Sequence, residues 1–291
     1  RRLCFASSAS ALAGGAWCST DPRNAAGASD GLDGIAYAYD PDGLPTRAGP
    51  LELTYREGAA LPATDRIGST EATWTFDDYG LLAGLTVRQG TAELARVTAR
   101  HDDLGRITEE TFAMGSSSTR RYQYRPNGEL AQVEEVGGPV TRYTYDANGN
   151  RTSVSIDGAT RTATYDDRDR LTRFDGWTYS YDALGRMVGR RRGTDAYVYT
   201  YDFSDNLKRV VRPDGRTISY VLDGFGRRVQ RSVDGNLTHT YIYRGGNLAY
   251  TVSAQGEVTR FVYGHHPTVP AAMERGGVWY RLVSDLRGSV R

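Results

Sequence analysis

The sequence predicts an all-β, solenoid-like chain of repeated antiparallel hairpins, and three observations carry that prediction. The first is periodicity. Between Tyr124 and Tyr263 the same short phrase recurs eight times, headed by Tyr124, Tyr145, Tyr165, Tyr181, Tyr201, Leu222, Tyr243 and Tyr263, in steps of 16 to 21 residues. A fixed period of this size is the signature of a repeat architecture, in which each unit buries its apolar face only against its neighbours. The second is composition: 20 Tyr and 34 Gly in 291 residues suit half-buried sheet surfaces joined by tight turns. The third is the missing helical period, because the glycine spacing would interrupt any helix of useful length.

Taken in chain order, residues 1–30 read as an irregular segment bracketed by Cys4 and Cys18 around a Ser/Ala/Gly loop. In a secreted protein such a pair forms a disulfide that staples the loop; otherwise the two are free buried thiols. Two cysteines without a nearby histidine cannot complete a tetrahedral zinc site. The opening RRLCFASSASALAGGAWC looks superficially like a signal peptide, but its apolar stretch is Ser-rich and Trp17 stands before Cys18 where a small residue is needed. The chain begins at Arg1 without Met and stops abruptly after Arg291, and it reads as a fragment.

Residues 31–278 read as repeats. Looser copies come first: YDPDGLPTR from Tyr39 and Asp40, YREG from Tyr55, FDDYGLLAG from Phe76 and HDDLGRITEE from His101. The cleanest are YDANGNRTSV (Tyr145, Asp146, Gly149), YDALGRMVGR (Tyr181, Asp182, Gly185) and YDFSDNLKRV (Tyr201, Asp202), with YDDRDRLT (Tyr165, Asp166) between them. Within one unit, Tyr143 and Tyr145 are two apart and share a strand face, with Arg142 and Thr144 on the other. Asp146 begins a turn, because its carboxylate can accept N–H groups just downstream, and Gly149 supplies a positive φ. A second strand from Asn150 to Ile156 leads to Asp157-Gly158, a dipeptide suited to a primed hairpin turn, and a third from Thr160 to Tyr165 reaches the next copy. An apolar residue often stands six positions after the head, as at Leu82, Ile107, Leu130, Leu171, Met187 and Leu207.

Charge is balanced, 36 basic against 35 acidic residues, which leaves no electrostatic footprint for nucleic acid or an anionic membrane. Lys208 is the only lysine, an Arg bias attributed to a GC-rich genome. No apolar run reaches the length of a membrane span. The Asp that follows each head recurs once per period at a turn, so it is read as a turn former rather than as a calcium ladder or a glycosidase carboxylate pair. His265-His266 is read as a loop interrupting the last repeat rather than as a metal site. No nucleophile elbow and no phosphate-cradling loop is present. No catalytic, metal or cofactor residue is assigned, and no cofactor is expected. The Tyr and Trp rings, Trp177 and Trp279 among them, could stack on sugars, although packing of the sheet explains rings at every period.

The phrases YDANGNRT, YDALGRMV and YDDRDRLT resemble the YD repeat of the RHS family, whose pattern is Tyr-Asp-x-x-Gly-Arg followed by an apolar residue. Residues 279–291, WYRLVSDLRGSVR, look like the truncated start of the RHS-associated core segment, with Asp285, Gly288 and Ser289 matching its Asp-His-Leu-Gly-Ser and an Arg where the family has no insertion. The Cys-bracketed N-terminus is similar to the segment that precedes YD repeats in actinobacterial members. The resemblance implies a YD-repeat β-spiral: a strip of hairpins wound into a hollow shell or barrel. In bacterial members that shell encloses a toxic C-terminal domain, and related repeats occur in insecticidal toxin cocoons and teneurins. It therefore implies a secreted or cell-surface bacterial protein whose partner is its own C-terminal effector, the cargo, with toxin and self-cleavage centre beyond Arg291. A glycan or cell-surface receptor is the alternative partner, in an adhesion module. A piece of this length is expected to expose both ends and its concave face, and so to self-associate.

Overall fold

In the computed structural model, residues 3–5, 17–19 and 35–290 are described. Among them there are 27 strands and no helix. Leu3–Phe5 and Trp17–Ser19 pair only with each other, Cys4 opposite Cys18. Whether those two cysteines are bonded concerns side chains outside the described residues. The other 25 strands, from Tyr37–Tyr39 to Val278–Arg281, form one antiparallel sheet in which each strand pairs with its sequence neighbours. No helix here is long and apolar enough to cross a membrane.

Two kinds of turn alternate along the sheet. At Asp157-Gly158, Asp175-Gly176 and Asp234-Gly235 both central residues have positive φ, the geometry of a type I′ turn. Its twist matches that of the flanking strands, so the hairpins stay closely paired. The other kind follows each head and comes with a register shift at the head residue, as between Thr144 and Tyr145 or Ser180 and Tyr181. The shift places the head opposite the residue six positions later: Phe76 faces Leu82, Tyr124 faces Leu130, Tyr181 faces Met187 and Tyr201 faces Leu207. The recurring apolar residue is therefore a cross-strand partner on the face that carries the rings.

That ring face decides how the sheet closes. Leu51 and Leu53 share it with Tyr55, and Ala72 shares it with Trp74 and Phe76. On the returning strands the buried positions are Val262 and Ala272, cross-strand partners one step out of phase with the head Tyr263, hence on the opposite face. Ile35, Ala48, Leu51, Leu53 and Ile67 pack against Val262 and Ala272, with Tyr37 and Trp279 at the margin. The sheet is thus rolled like a scroll, with its last strands tucked inside its first. The strand order returns from the last strand to the first, and buried side chains of the two ends pack against each other there.

Burying Leu51 and Val262 completely contributes roughly 1.5–3 kcal/mol each. Among the described residues the buried positions fall within 35–110 and 249–285, and no residue from 111 to 248 is buried. The strands there form a single layer. The overlap covers the ring face of the first strands with the last ones, and the single layer from 111 to 248 has no such cover.

Candidate functional site

The repeated turn is built the same way in every Asp-headed copy. Asp146 Oδ1 accepts the N–H groups of Asn148 (3.0 Å) and Asn150 (2.9 Å), and Asp182 Oδ1 accepts those of Leu184 and Arg186, both at 3.0 Å. Asp40, Asp77, Asp102, Asp166, Asp202 and Asp223 bind the i+2 and i+4 amides likewise. The fourth residue takes positive φ: Gly149 and Gly185 do so freely, and in two copies Asp169 (57°) and Asp205 (63°) replace glycine. Asp285 makes the identical turn, holding the amides of Arg287 and Ser289 with Gly288 at φ 76°. The 279–291 segment therefore ends in the same turn, and the division placed at 279 falls within the strand Val278–Arg281.

One element of the repeat was not read from the sequence. The Arg four positions after the Asp pairs with its carboxylate, as in Arg106–Asp102, Arg170–Asp166, Arg186–Asp182 and Arg227–Asp223. The same guanidinium then lies over the next repeat's head ring, 4.6 Å from Tyr124, 5.0 Å from Tyr181, 5.4 Å from Tyr201 and 4.8 Å from Tyr243. That ring's hydroxyl donates back to the preceding unit: Tyr124 to Ile107 O, Tyr181 to Leu171 O, Tyr201 to Met187 O. Asp, Arg and the next Tyr thus form a side-chain relay from unit to unit. Each contact is weak on its own, and the relay repeats it from unit to unit along the rim of the sheet. The Arg of the Tyr-Asp-x-x-Gly-Arg pattern is the signal that could have found it.

The relay sets the electrostatics of the rim. The Arg170 guanidinium beside Asp166, helped by two backbone amides, holds its carboxyl down to about 2, and Arg106 does the same in direction for Asp102. Burial pushes up the phenols of Tyr124, Tyr145, Tyr181, Tyr201, Tyr243 and Tyr263, and that of Tyr55 to about 12. At several turns the tip is apolar and unprotected: Leu184, Phe203 and Phe225 project into solvent, Phe203 being 99% exposed.

The seam carries its own polar clamp. Arg281, from the last strand, forms a buried ion pair with Asp65, and its guanidinium also donates to Thr70 Oγ1 (3.0 Å) and to the carbonyls of Asp65 and Thr70 (both 3.2 Å). Trp74 Nε1 donates to the other Asp65 oxygen at 3.1 Å. His265 lies beside it, its Nε2–H donating to Thr64 O at 3.0 Å and its ring edge-on to Tyr55 and Trp74. Burial pushes its imidazole below the usual range, so it is held neutral. Neighbouring His266 caps its own loop by accepting the Val269 N–H at 3.1 Å. Further along, Val283 enters a second dry cluster with Ala72, Leu85, Val87 and Val97, and Arg287 reaches Glu110. Among the described residues no group of three His, Cys, Asp or Glu is placed to hold a metal.

Trp177 does not offer free ring faces. Arg190 and Arg192 lie 4.8 and 4.9 Å from it, and Tyr197 stands 5.9 Å away. Trp279 packs into the seam.

Comparison with known proteins agrees with this architecture. Mouse Teneurin-4 is 32% identical over 159 residues, 53% of this chain and 6% of the relative. The tRNA3(Ser)-specific nuclease WapA of Bacillus spizizenii is 31% identical over 166 residues, 54% of this chain and 7% of its own. The chain thus spans only a small part of the curated relatives it matches. Among solved structures, the Photorhabdus luminescens Tc holotoxin pore superposes with a TM-score of 0.60 over 95% of this chain and 17% of that one, at 14% identity, a likeness of fold alone. The chain belongs to the Teneurin YD-shell family of RHS/YD-repeat proteins, whose model matches residues 26–291.

Proposed function

We propose that this chain is a length of β-shell wall in a secreted protein, chemically inert, which helps enclose and deliver a C-terminal effector lying beyond Arg291. The observation that carries the reading is the single layer. A globular domain covers its sheets with a second layer, whereas here nothing from 111 to 248 is buried. The rolled seam and the Asp-Arg-Tyr relay hold that bare layer in shape without a packed core. Any toxic or self-cleaving activity belongs to the effector side of the protein, C-terminal to the wall. A carbohydrate- or receptor-binding role at Trp177 is disfavoured, because its ring faces are occupied by Arg190 and Arg192.

The test is protease protection. The chain is expressed together with the segment encoded downstream of it in its gene and treated with proteinase K. The downstream segment is expected to survive while the wall is intact and to be digested once the seam is opened by Arg281→Met. A reading frame that stops at Arg291, or a downstream segment digested as fast as when it is expressed alone, would overturn the proposal.

A further inference from the structure

The inner face of the single layer is not neutral. The last strands lie against the ring face of the first. Along the single layer the ring positions are half-buried while the residues between them are exposed, as in Val140–Tyr145, Trp177–Tyr181 and Asp195–Tyr201, so the ring face is the inside of the scroll. Cross-strand register places Arg151 opposite Tyr145, Arg190 opposite Tyr179 and Tyr197, Arg228 opposite Leu222, and Arg231 opposite Tyr220, all on that face. Arg192 shares the face through its partner Asp195. Unlike the rim arginines, these five have no carboxylate within ion-pair distance among the described residues.

Four of them are held instead by rings, while Arg231 donates to Thr238 Oγ1 at 3.0 Å. Arg151 lies 5.6 Å from Tyr143 and 5.9 Å from Phe174, Arg190 sits between Trp177 and Tyr197 (4.2 Å), and Arg228 lies over Tyr220 at 5.1 Å. Stacking fixes a guanidinium's plane but leaves the donors at its edge free to bind an anion. Arg190 Nε is buried with no acceptor. The acids of this face do not cancel the row: Glu110 is taken by Tyr122, Arg120 and Arg287, Glu135 accepts from Ser118, and Asp175 pairs with Arg161. Asp195 remains as the one carboxylate facing the five.

We infer that the inner face between Arg151 and Arg231 is a docking surface for an acidic polypeptide in extended form, whose carboxylates are taken by the stacked guanidiniums. The inference rests on the shell reading and names the chemistry of what the shell holds. Planar guanidinium donors match carboxylates in a two-point geometry, and tyrosines between them offer hydroxyls and apolar faces for backbone and side chains. The arginines stand on three strands, Arg151–Ile156, Met187–Arg192 and Arg228–Val233, each four strands from the next, so a chain in extended form is what reaches several of them at once.

The experiment measures binding of fluorescent poly-Glu to this chain by anisotropy, with poly-Lys and a single-stranded oligonucleotide as the other arms. Poly-Glu is expected to bind and poly-Lys not. The variant R190Q/R192Q/R228Q is expected to weaken poly-Glu by about tenfold, and unchanged circular dichroism and melting temperature would show that it still folds. Should that variant unfold, the single Arg228→Gln, at an exposed position, is expected to give a twofold to threefold loss, as expected of about half a kcal/mol. Equal binding of poly-Glu and poly-Lys, tighter binding of the oligonucleotide, or full poly-Glu affinity in the variants would overturn the inference. Protease protection of the downstream segment with no poly-Glu binding would sink this inference alone and leave the wall standing.

Discussion

Removing the guanidinium of Arg281 is expected to cost more than any other single polar change, because Arg281 and Asp65 are 9% and 4% exposed and join positions 216 apart in sequence. In Arg281→Met, Asp65 is left as a buried carboxylate with Trp74 Nε1 as its remaining side-chain donor. Breaking a buried pair from one side typically costs about 3–5 kcal/mol, since the surviving charge has lost both its partner and its water. Asp65→Asn is milder, roughly 1–3 kcal/mol, because Arg281 keeps Thr70 Oγ1 and two carbonyl acceptors. The double variant leaves no buried charge at the clamp and should be more stable than the sum of the two losses predicts, with a coupling of about 2 kcal/mol. Urea unfolding followed by tryptophan fluorescence measures all three, Trp74 being in contact with the clamp. If Arg281→Met costs less than about 1 kcal/mol, the range of an exposed pair, the clamp is not buried in solution and the rolled seam is wrong. Strict additivity of the two single variants would refute the pairing.

Acid stability follows from the same geometry. Asp166 is held to about 2 against an ordinary 3.8, first by Arg170, and Asp102 is lowered first by Arg106. Folded pKa values below the unfolded ones mean that the unfolded chain takes up protons first, so this stability is present above about pH 4 and is lost as the pH falls toward about 2. His265, lowered from 6.5 by burial, adds an earlier loss as the pH falls below that value, and His265→Gln should remove it. A melting temperature that stays flat from about pH 7 to about pH 2 would contradict both. At the seam, Leu51→Ala should cost about 2–5 kcal/mol in urea unfolding, whereas Phe203→Ala at an exposed turn tip should leave stability within about 0.5 kcal/mol; similar losses at the two sites would mean that the dry packing is not confined to the overlap.

What the sequence determined by itself is local. Asp146 and Asp182 bind amides two and four residues on, Asp157-Gly158 closes its hairpin by its own φ values, and Tyr143 with Tyr145 share a face through the two-residue period of a strand. Such interactions need only neighbouring residues, so strands, turns and the all-β repeat were legible in the order of the letters. The Arg of the motif was half legible: its bond to the Asp four residues back is local, but its place over the next head ring depends on the register shift at each turn. The seam was not legible at all. Nothing in Val262, Ala272 or Arg281 marks them as partners of Leu51, Leu53 and Asp65, because that contact depends on how far the sheet has curled over some two hundred intervening residues. Curl is the accumulated twist of many strands, and the tertiary structure alone fixes where it brings the two ends together. It likewise decided that the rings and Arg151, Arg190 and Arg228 face inward, since alternation separates two faces of a strand without saying which one the roll will enclose.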